Sequence, residues 1–161
     1  MTNADGPQPV RSYLVRHGEA GWRQTWEGAD ELRPLTREGR RQATGLVGLL
    51  EGAEVARVLT SPFLRCAETV APLADARGLP VEPVAELAEG AGPDGALGLL
   101  VSGPIVACSH GDVIEEALEA LARRGVRLAG RARGLETLKG ATWVLECGGG
   151  VVVSGRLLPP A

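Results

Sequence analysis

The run Tyr13-Leu14-Val15 is apolar and short, and it stops abruptly at Arg16-His17-Gly18. A run of that length reads as a buried strand, and Gly18 permits a sharp backbone turn that a residue with a Cβ would resist. A cation and an imidazole are thereby presented at the carboxyl end of a strand, where open α/β sheets bind ligands. An Arg-His-Gly tripeptide alone describes any surface pair in a loop. Here the arrangement recurs: Pro104-Ile105-Val106-Ala107-Cys108 is a second buried run, and it ends in Ser109-His110-Gly111. His17 and His110 are the only 2 histidines of the chain.

The order of elements predicts the fold class. The 161 residues suffice for one core and not comfortably for two, so residues 1–10 read as a flexible polar leader and 11–161 as a single domain. Arg11–Arg16 is the first strand. Gly21–Pro34 mixes Trp22 and Trp26 with charges and has neither a helical nor a strand period, which predicts a loop near the site. Thr36 is a suitable cap for a helix whose stripe is Ala43, Leu46, Val47 and Leu50. Val55–Thr60 is the second strand. Ser61-Pro62 predicts a helix start, with a hydroxyl cap and proline at the first helical position, and Pro72 should kink or divide that helix.

Leu79–Val84 follows as a third strand, Gly95–Val101 as a short helix, and Asp112 to about Arg124 as another. Residues 125–140 carry no clear pattern. Ala141–Cys147 and Val151–Arg156, joined by three glycines, predict an antiparallel hairpin. Strands alternating with helices predict an α/β protein: a three-layer α/β/α sandwich with a mainly parallel central sheet and a C-terminal antiparallel hairpin.

Composition excludes several classes. A formal net charge of −3 gives no reason to expect nucleic acid or a membrane surface as partner. No apolar run reaches membrane-spanning length, and Met1–Pro9 lacks the apolar core of a signal peptide, so a cytoplasmic location is expected. Cys66, Cys108 and Cys147 are scattered without metal-ligand spacing and read as reduced, mostly buried thiols. No metal and no cofactor are expected. The cations are nearly all arginine, with Lys139 the only lysine, and an arginine fork can grip a phosphate in a bidentate way.

Four stretches stand in order: Leu14-Val15-Arg16-His17-Gly18-Glu19, Leu35-Thr36-Arg37-Glu38-Gly39-Arg40-Arg41-Gln42-Ala43, Ser61-Pro62-Phe63-Leu64-Arg65-Cys66-Ala67-Glu68-Thr69 and Cys108-Ser109-His110-Gly111. Two strand-end His-Gly turns can face each other across one parallel sheet, and two arginines converging there would make a pocket for a dianionic phosphate. With these stretches the chain resembles the histidine phosphatase superfamily, the phosphoglycerate-mutase-like fold, from Arg11 to about Leu121. Its compact build is similar to the SixA-type phosphohistidine phosphatases. Glu89-Gly90, Ser109–Ile114 and Leu138–Trp143 resemble the phosphatase domain that follows a Nudix domain in certain nucleotide hydrolases.

The resemblance implies a metal-independent phosphatase acting on a phosphomonoester, phosphoanhydride or phosphohistidine. His17 would be the nucleophile, while Arg16, Arg65 and His110 bind the phosphoryl group and His110 assists the chemistry. Leu87-Ala88-Glu89 fits the family's acid pattern, making Glu89 the proton donor, with Glu86 the weaker candidate. The substrate would be a small phosphorylated molecule, a nucleotide among the options, or a phosphoprotein; nothing sets the oligomeric state.

Two departures from the family pattern carry information. Many members continue the first stretch as Glu-Thr-x-Trp-Asn, whereas this chain reads Glu19-Ala20-Gly21-Trp22-Arg23. Arg23 is then a further cation for a substrate with a second phosphate or acid group. A long helical lid is also missing, since only Gly90–Gly103 is available. An open site suits a bulky substrate and disfavours a phosphoglycerate-type mutase, which must keep water from its phosphoenzyme. A non-catalytic phospho-ligand-binding protein of the same fold is the other alternative, although a pure binder has no need of the nucleophile.

Overall fold

The computed structural model describes residues 9–132 and 134–161, so most of the leader expected over residues 1–10 lies outside the described residues. The strands are β1 (Val10–Arg16), β2 (Arg57–Thr60), β3 (Val81–Pro83), β4 (Ile105–Ser109), β5 (Arg127–Ala129), β6 (Thr142–Gly148) and β7 (Val151–Leu158). The helices are α1 (Arg37–Leu49), α2 (Leu64–Arg77), α3 (Asp94–Leu100) and α4 (Gly111–Arg123). One sheet has the order β3-β2-β4-β1-β6-β7-β5. Its pairs β2–β3, β2–β4, β1–β4 and β5–β7 are parallel, while β1–β6 and the hairpin β6–β7 are antiparallel. This is the expected α/β sandwich.

Strand alternation builds the three layers. Leu14, Leu59, Ala107 and Leu145 point to one face and pack against Leu97 and Leu100 of α3 and Val113, Ile114 and Ala117 of α4. Tyr13, Val15, Val58, Val106 and Val144 point to the other, against Leu46 of α1 and Val70 and Leu73 of α2. A strand buried on both faces cannot alternate apolar with polar, which is why the first and fourth strands read as continuous apolar runs.

Two local expectations change. Thr36 caps α1 as expected, its Oγ1 accepting from the Gly39 N–H at 3.2 Å. Ser61-Pro62 does not open α2, however: the helix begins at Leu64, and Ser61 serves another purpose described below. Pro72 lies inside α2 without dividing it. Residues 125–140, unpatterned in sequence, supply the edge strand β5 and a turn that reaches back beneath β1. The short helix expected over Gly95–Val101 is α3, tied to the sheet where Ser12 Oγ donates to the Leu100 and Gly103 carbonyls at 2.8 and 2.6 Å. It is a layer of the fold, and it leaves the top of the sheet open.

Candidate active site

The parallel pair β1–β4 aligns Arg16 with Ser109, so the two strands end level. The His17 N–H donates to the Ser109 carbonyl at 3.1 Å, and the rings of His17 and His110 stand edge-on with centroids 5.4 Å apart. The turn after β1 is fixed from several sides. Gly18 N–H donates to Thr69 Oγ1 of α2 at 2.9 Å, and Gly140 N–H reaches the carbonyls of Arg16 and His17, both at 3.1 Å. Gly18 is not among the positive-φ glycines, so its place is explained by closeness and not by the turn. A Cβ there would lie 3.0 Å from the Gly39 carbonyl oxygen and from Gln42 Oε1. Gly39 in turn has Glu19 O at 2.1 Å from where its own Cβ would sit, so the start of α1 packs backbone against backbone on this turn.

His17 is 5% exposed. Its Nδ1 lies 2.8 Å from the Gly18 carbonyl, which places the proton on Nδ1 and leaves Nε2 as the free nitrogen. Burial, reinforced by the guanidinium charges of Arg16 and Arg65 and by the neighbouring His110, pushes its pKa down to about 3, against the bond to Gly18 that favours the charged form. The imidazole is neutral at every ordinary pH.

Around it, three buried nitrogens have no partner: Arg16 Nε, Arg65 Nε and His110 Nδ1. Buried donors are nearly always paired, so three together mark a place made for acceptor oxygens. The rest of each side chain is anchored. Arg16 Nη1 donates to the Thr137 carbonyl, and Gly111 leaves room for its guanidinium, atoms of which a Cβ would meet at 3.1–3.2 Å. Arg65, 1% exposed, donates from Nη1 to the Asp30 carbonyl at 2.9 Å and from Nη2 to Asp30 Oδ2 at 3.1 Å. His110 Nε2 is 2.8 Å from Ser61 Oγ. That oxygen accepts from the Phe63 N–H at 3.2 Å, so the hydroxyl proton is free to point at Nε2 and leave the ring proton on Nδ1. Ser61, read from sequence as a helix cap, therefore orients the second histidine.

All six sequence-derived candidates, Arg16, His17, Arg23, Arg65, Glu89 and His110, line one cavity of about 340 Å³. Ser109 Oγ holds the loop carrying Glu89 by donating to the Leu87 carbonyl at 2.7 Å. Glu89 accepts from Arg23 Nη2 at 2.7 Å, and its second oxygen lies 3.8 Å from Arg65 Nη2. Glu86 is not part of the lining. A larger cavity of about 630 Å³ between α3, α4 and the hairpin tip has mainly aliphatic walls and no converging cations. Among the described residues, no group of three His, Cys, Asp or Glu side chains is placed to hold a metal.

Sequence reasoning missed Asp30, Arg33 and the 134–140 turn. Asp30 Oδ1 accepts from Arg33 Nε at 3.0 Å, and Oδ2 lies 3.5 Å from Arg23 Nε as well as bonding Arg65. Burial opposes its charge, but these arginines hold the carboxyl below its usual range. Lys139 bonds Glu19 Oε1 at 3.0 Å and joins the cavity wall. Trp22 stands at the rim, 74% exposed.

A family model of the histidine phosphatase superfamily (branch 1) matches residues 12–94. The chain belongs to this superfamily. It is 33% identical over 155 residues to an 8-oxo-(d)GTP phosphatase of Mycolicibacterium smegmatis, covering 91% of this chain and 47% of that protein. It is 34% identical over 93 residues to the phosphohistidine phosphatase SixA of Escherichia coli, covering 56% of this chain and 55% of that protein. The chain thus spans about half the length of the curated relatives it matches. A solved histidine phosphatase, SixA complexed with tungstate, shares the fold with a TM-score of 0.66 at 24% identity, over 92% of this chain and 94% of that one. Among the described residues no helix is long and apolar enough to cross a membrane.

Proposed function

We propose that this histidine phosphatase superfamily member is a metal-independent phosphatase working through a phosphohistidine on His17. The observation that carries the reading is the set of three unpartnered buried nitrogens beside a histidine kept neutral, with one nitrogen free. Nε2 attacks phosphorus in line, and the bond from phosphorus to the leaving oxygen breaks. Arg16, Arg65 and His110 take the three non-bridging oxygens, offsetting the charge that develops there without calling on a metal. Glu89, which takes up a proton from solvent in each cycle, gives it to the leaving oxygen. Water then attacks the phosphohistidine, inorganic phosphate departs, and the electron pair of the broken P–N bond returns to the imidazole.

The substrate class we favour is a nucleotide. An exposed indole face at the rim offers a base about 1–3 kcal/mol of stacking, and Arg23, in the same wall beside Glu89 and Asp30, is a cation that a second phosphate would draw on. The name of the Mycolicibacterium relative points to the same class. A phosphoprotein, suggested by the SixA relative, remains the competing substrate for an open mouth.

Rapid quench with a radiolabelled nucleotide tests the chemistry. The wild type should carry label that survives base and is lost in acid, and His17→Ala should carry none while keeping its circular dichroism spectrum. Label with the opposite stability refutes the phosphohistidine. Tight phosphate binding with neither label nor turnover on any substrate would make the protein a binder.

A further inference from the structure

The cavity has a fourth buried atom without a partner, and it differs in kind from the other three. Asp112, in the first turn of α4, uses Oδ2 to accept the Gly90 N–H at 2.8 Å, while its Oδ1 is buried with no donor. An ionised carboxylate can only accept, so this oxygen calls for a group that brings a proton. Phosphate oxygens do not, and they are provided for by the three nitrogens. Glu89, the neighbouring carboxylate one residue before Gly90, faces Arg23 with one oxygen and Arg65 with the other. Of the two carboxylates on this wall, only Asp112 has an oxygen with no cation or donor on it.

We propose that Asp112 is a further catalytic residue, the base that holds and deprotonates the water hydrolysing the phosphohistidine. The inference rests on the phosphatase reading above and divides its two half-reactions between two carboxylates. Glu89 donates to the leaving oxygen. Asp112 Oδ1 takes one proton from the water as its oxygen bonds to phosphorus and the bond to His17 Nε2 breaks. Product release, with exchange of protons through solvent, resets both groups. The backbone contact from Gly90 keeps the pair together, so the base arrives with the loop that carries the acid.

The test separates the halves by using radiolabelled p-nitrophenyl phosphate, whose leaving group needs little proton assistance. Formation of labelled enzyme is followed by quenched flow, and its decay after a chase of unlabelled substrate. Asp112→Asn keeps an oxygen for Gly90 N–H, so label should form at the wild-type rate and decay about a hundred- to ten-thousand-fold more slowly. Labelled enzyme should accumulate, and Asp112→Glu should restore part of the decay rate. Glu89→Gln should slow label formation from a nucleoside monophosphate more than it slows decay. If formation and decay fall together in Asp112→Asn, Asp112 is only a tether for the loop and the proposal is overturned. Decay within twofold of wild type overturns it too. Wild-type enzyme that neither labels nor releases p-nitrophenol sinks the phosphatase reading itself, a result distinct from both.

Discussion

The neutral His17 has a thermodynamic signature that can be measured without any substrate. Its native pKa is about 3, against 6.5 for a free side chain, because the ring is buried among cations. Between those values the unfolded chain binds a proton that the native state refuses. Stability therefore rises with pH across this window: it is fully present above about 6.5 and is lost as the pH falls toward 3. One pKa unit is worth about 1.4 kcal/mol, so lowering the pH to about 4.5 should remove roughly 3 kcal/mol through this one group. The carboxyls of Glu19 and Asp30 are also held low, but their losses come at more acid pH and hardly count at 4.5. Urea unfolding compares the wild type with His17→Gln at pH 8 and 4.5. With a slope of about 2 kcal/mol per molar, the wild-type midpoint should fall by about 1–2 M more than that of the variant. The variant's starting midpoint does not enter the argument; only the difference in pH response matters. Equal shifts in the two proteins would show that His17 titrates in the native state, and the argument for a neutral, poised nucleophile would fail. The same pKa means that an acid limb near pH 6 in the rate profile would not report His17; the second ionisation of a substrate phosphate falls in that range.

Two further outcomes follow from the site. Arg65→Ala should weaken inorganic phosphate binding and slow turnover together, by about 2–4 kcal/mol in each, because its Nε meets the oxygens in ground and transition states alike; Arg65→Lys should recover only part, since an ammonium cannot hold Asp30 and phosphate with one planar fork. Isothermal titration with phosphate checks this, and unchanged affinity would put Arg65 outside the pocket. Glu89→Gln should cost about a hundredfold or more with a nucleoside monophosphate, a poor leaving group, and far less with p-nitrophenyl phosphate. A uniform loss across both substrates would remove Glu89 from proton transfer.

Where one local pattern determined position, the site could be read from the chain. A continuous apolar run ending at His-Gly tells the strand, its burial and its end at once, and two such strands in parallel bring His17 and His110 together. Arg65 is legible through a helix start that lies two residues later than its sequence signal. The signal survived because the break after β2 is real even though Ser61 gives its hydroxyl to His110 in place of the helix. Other parts of the site depend on contacts with no local trace. Asp30 sits in a loop without period, and only the fold shows that Arg65 and Arg33 meet on it. Lys139 and Gly140 lie more than a hundred residues from the turn they brace, in a stretch whose Gly, Leu and Thr resemble any surface loop. The short segment before β4 carries the helix its sequence predicts, and that helix covers one face of the sheet.

The two acids that face Arg65 hold it unequally, and that inequality sets which one an incoming phosphate disturbs. Asp30 binds it through a backbone carbonyl and a carboxylate oxygen, at 2.9 and 3.1 Å, and is itself clamped by Arg33. Glu89 reaches it only at 3.8 Å, from a half-exposed side chain. A buried guanidinium stripped of all its counter-charge is costly, so the stronger partner stays and keeps the fork aimed. On the proposed reading, phosphate arriving at Arg65 would displace the looser of the two contacts, that of Glu89, whose other oxygen stays on Arg23 at 2.7 Å, while Asp30 would leave the phosphate site with its shape.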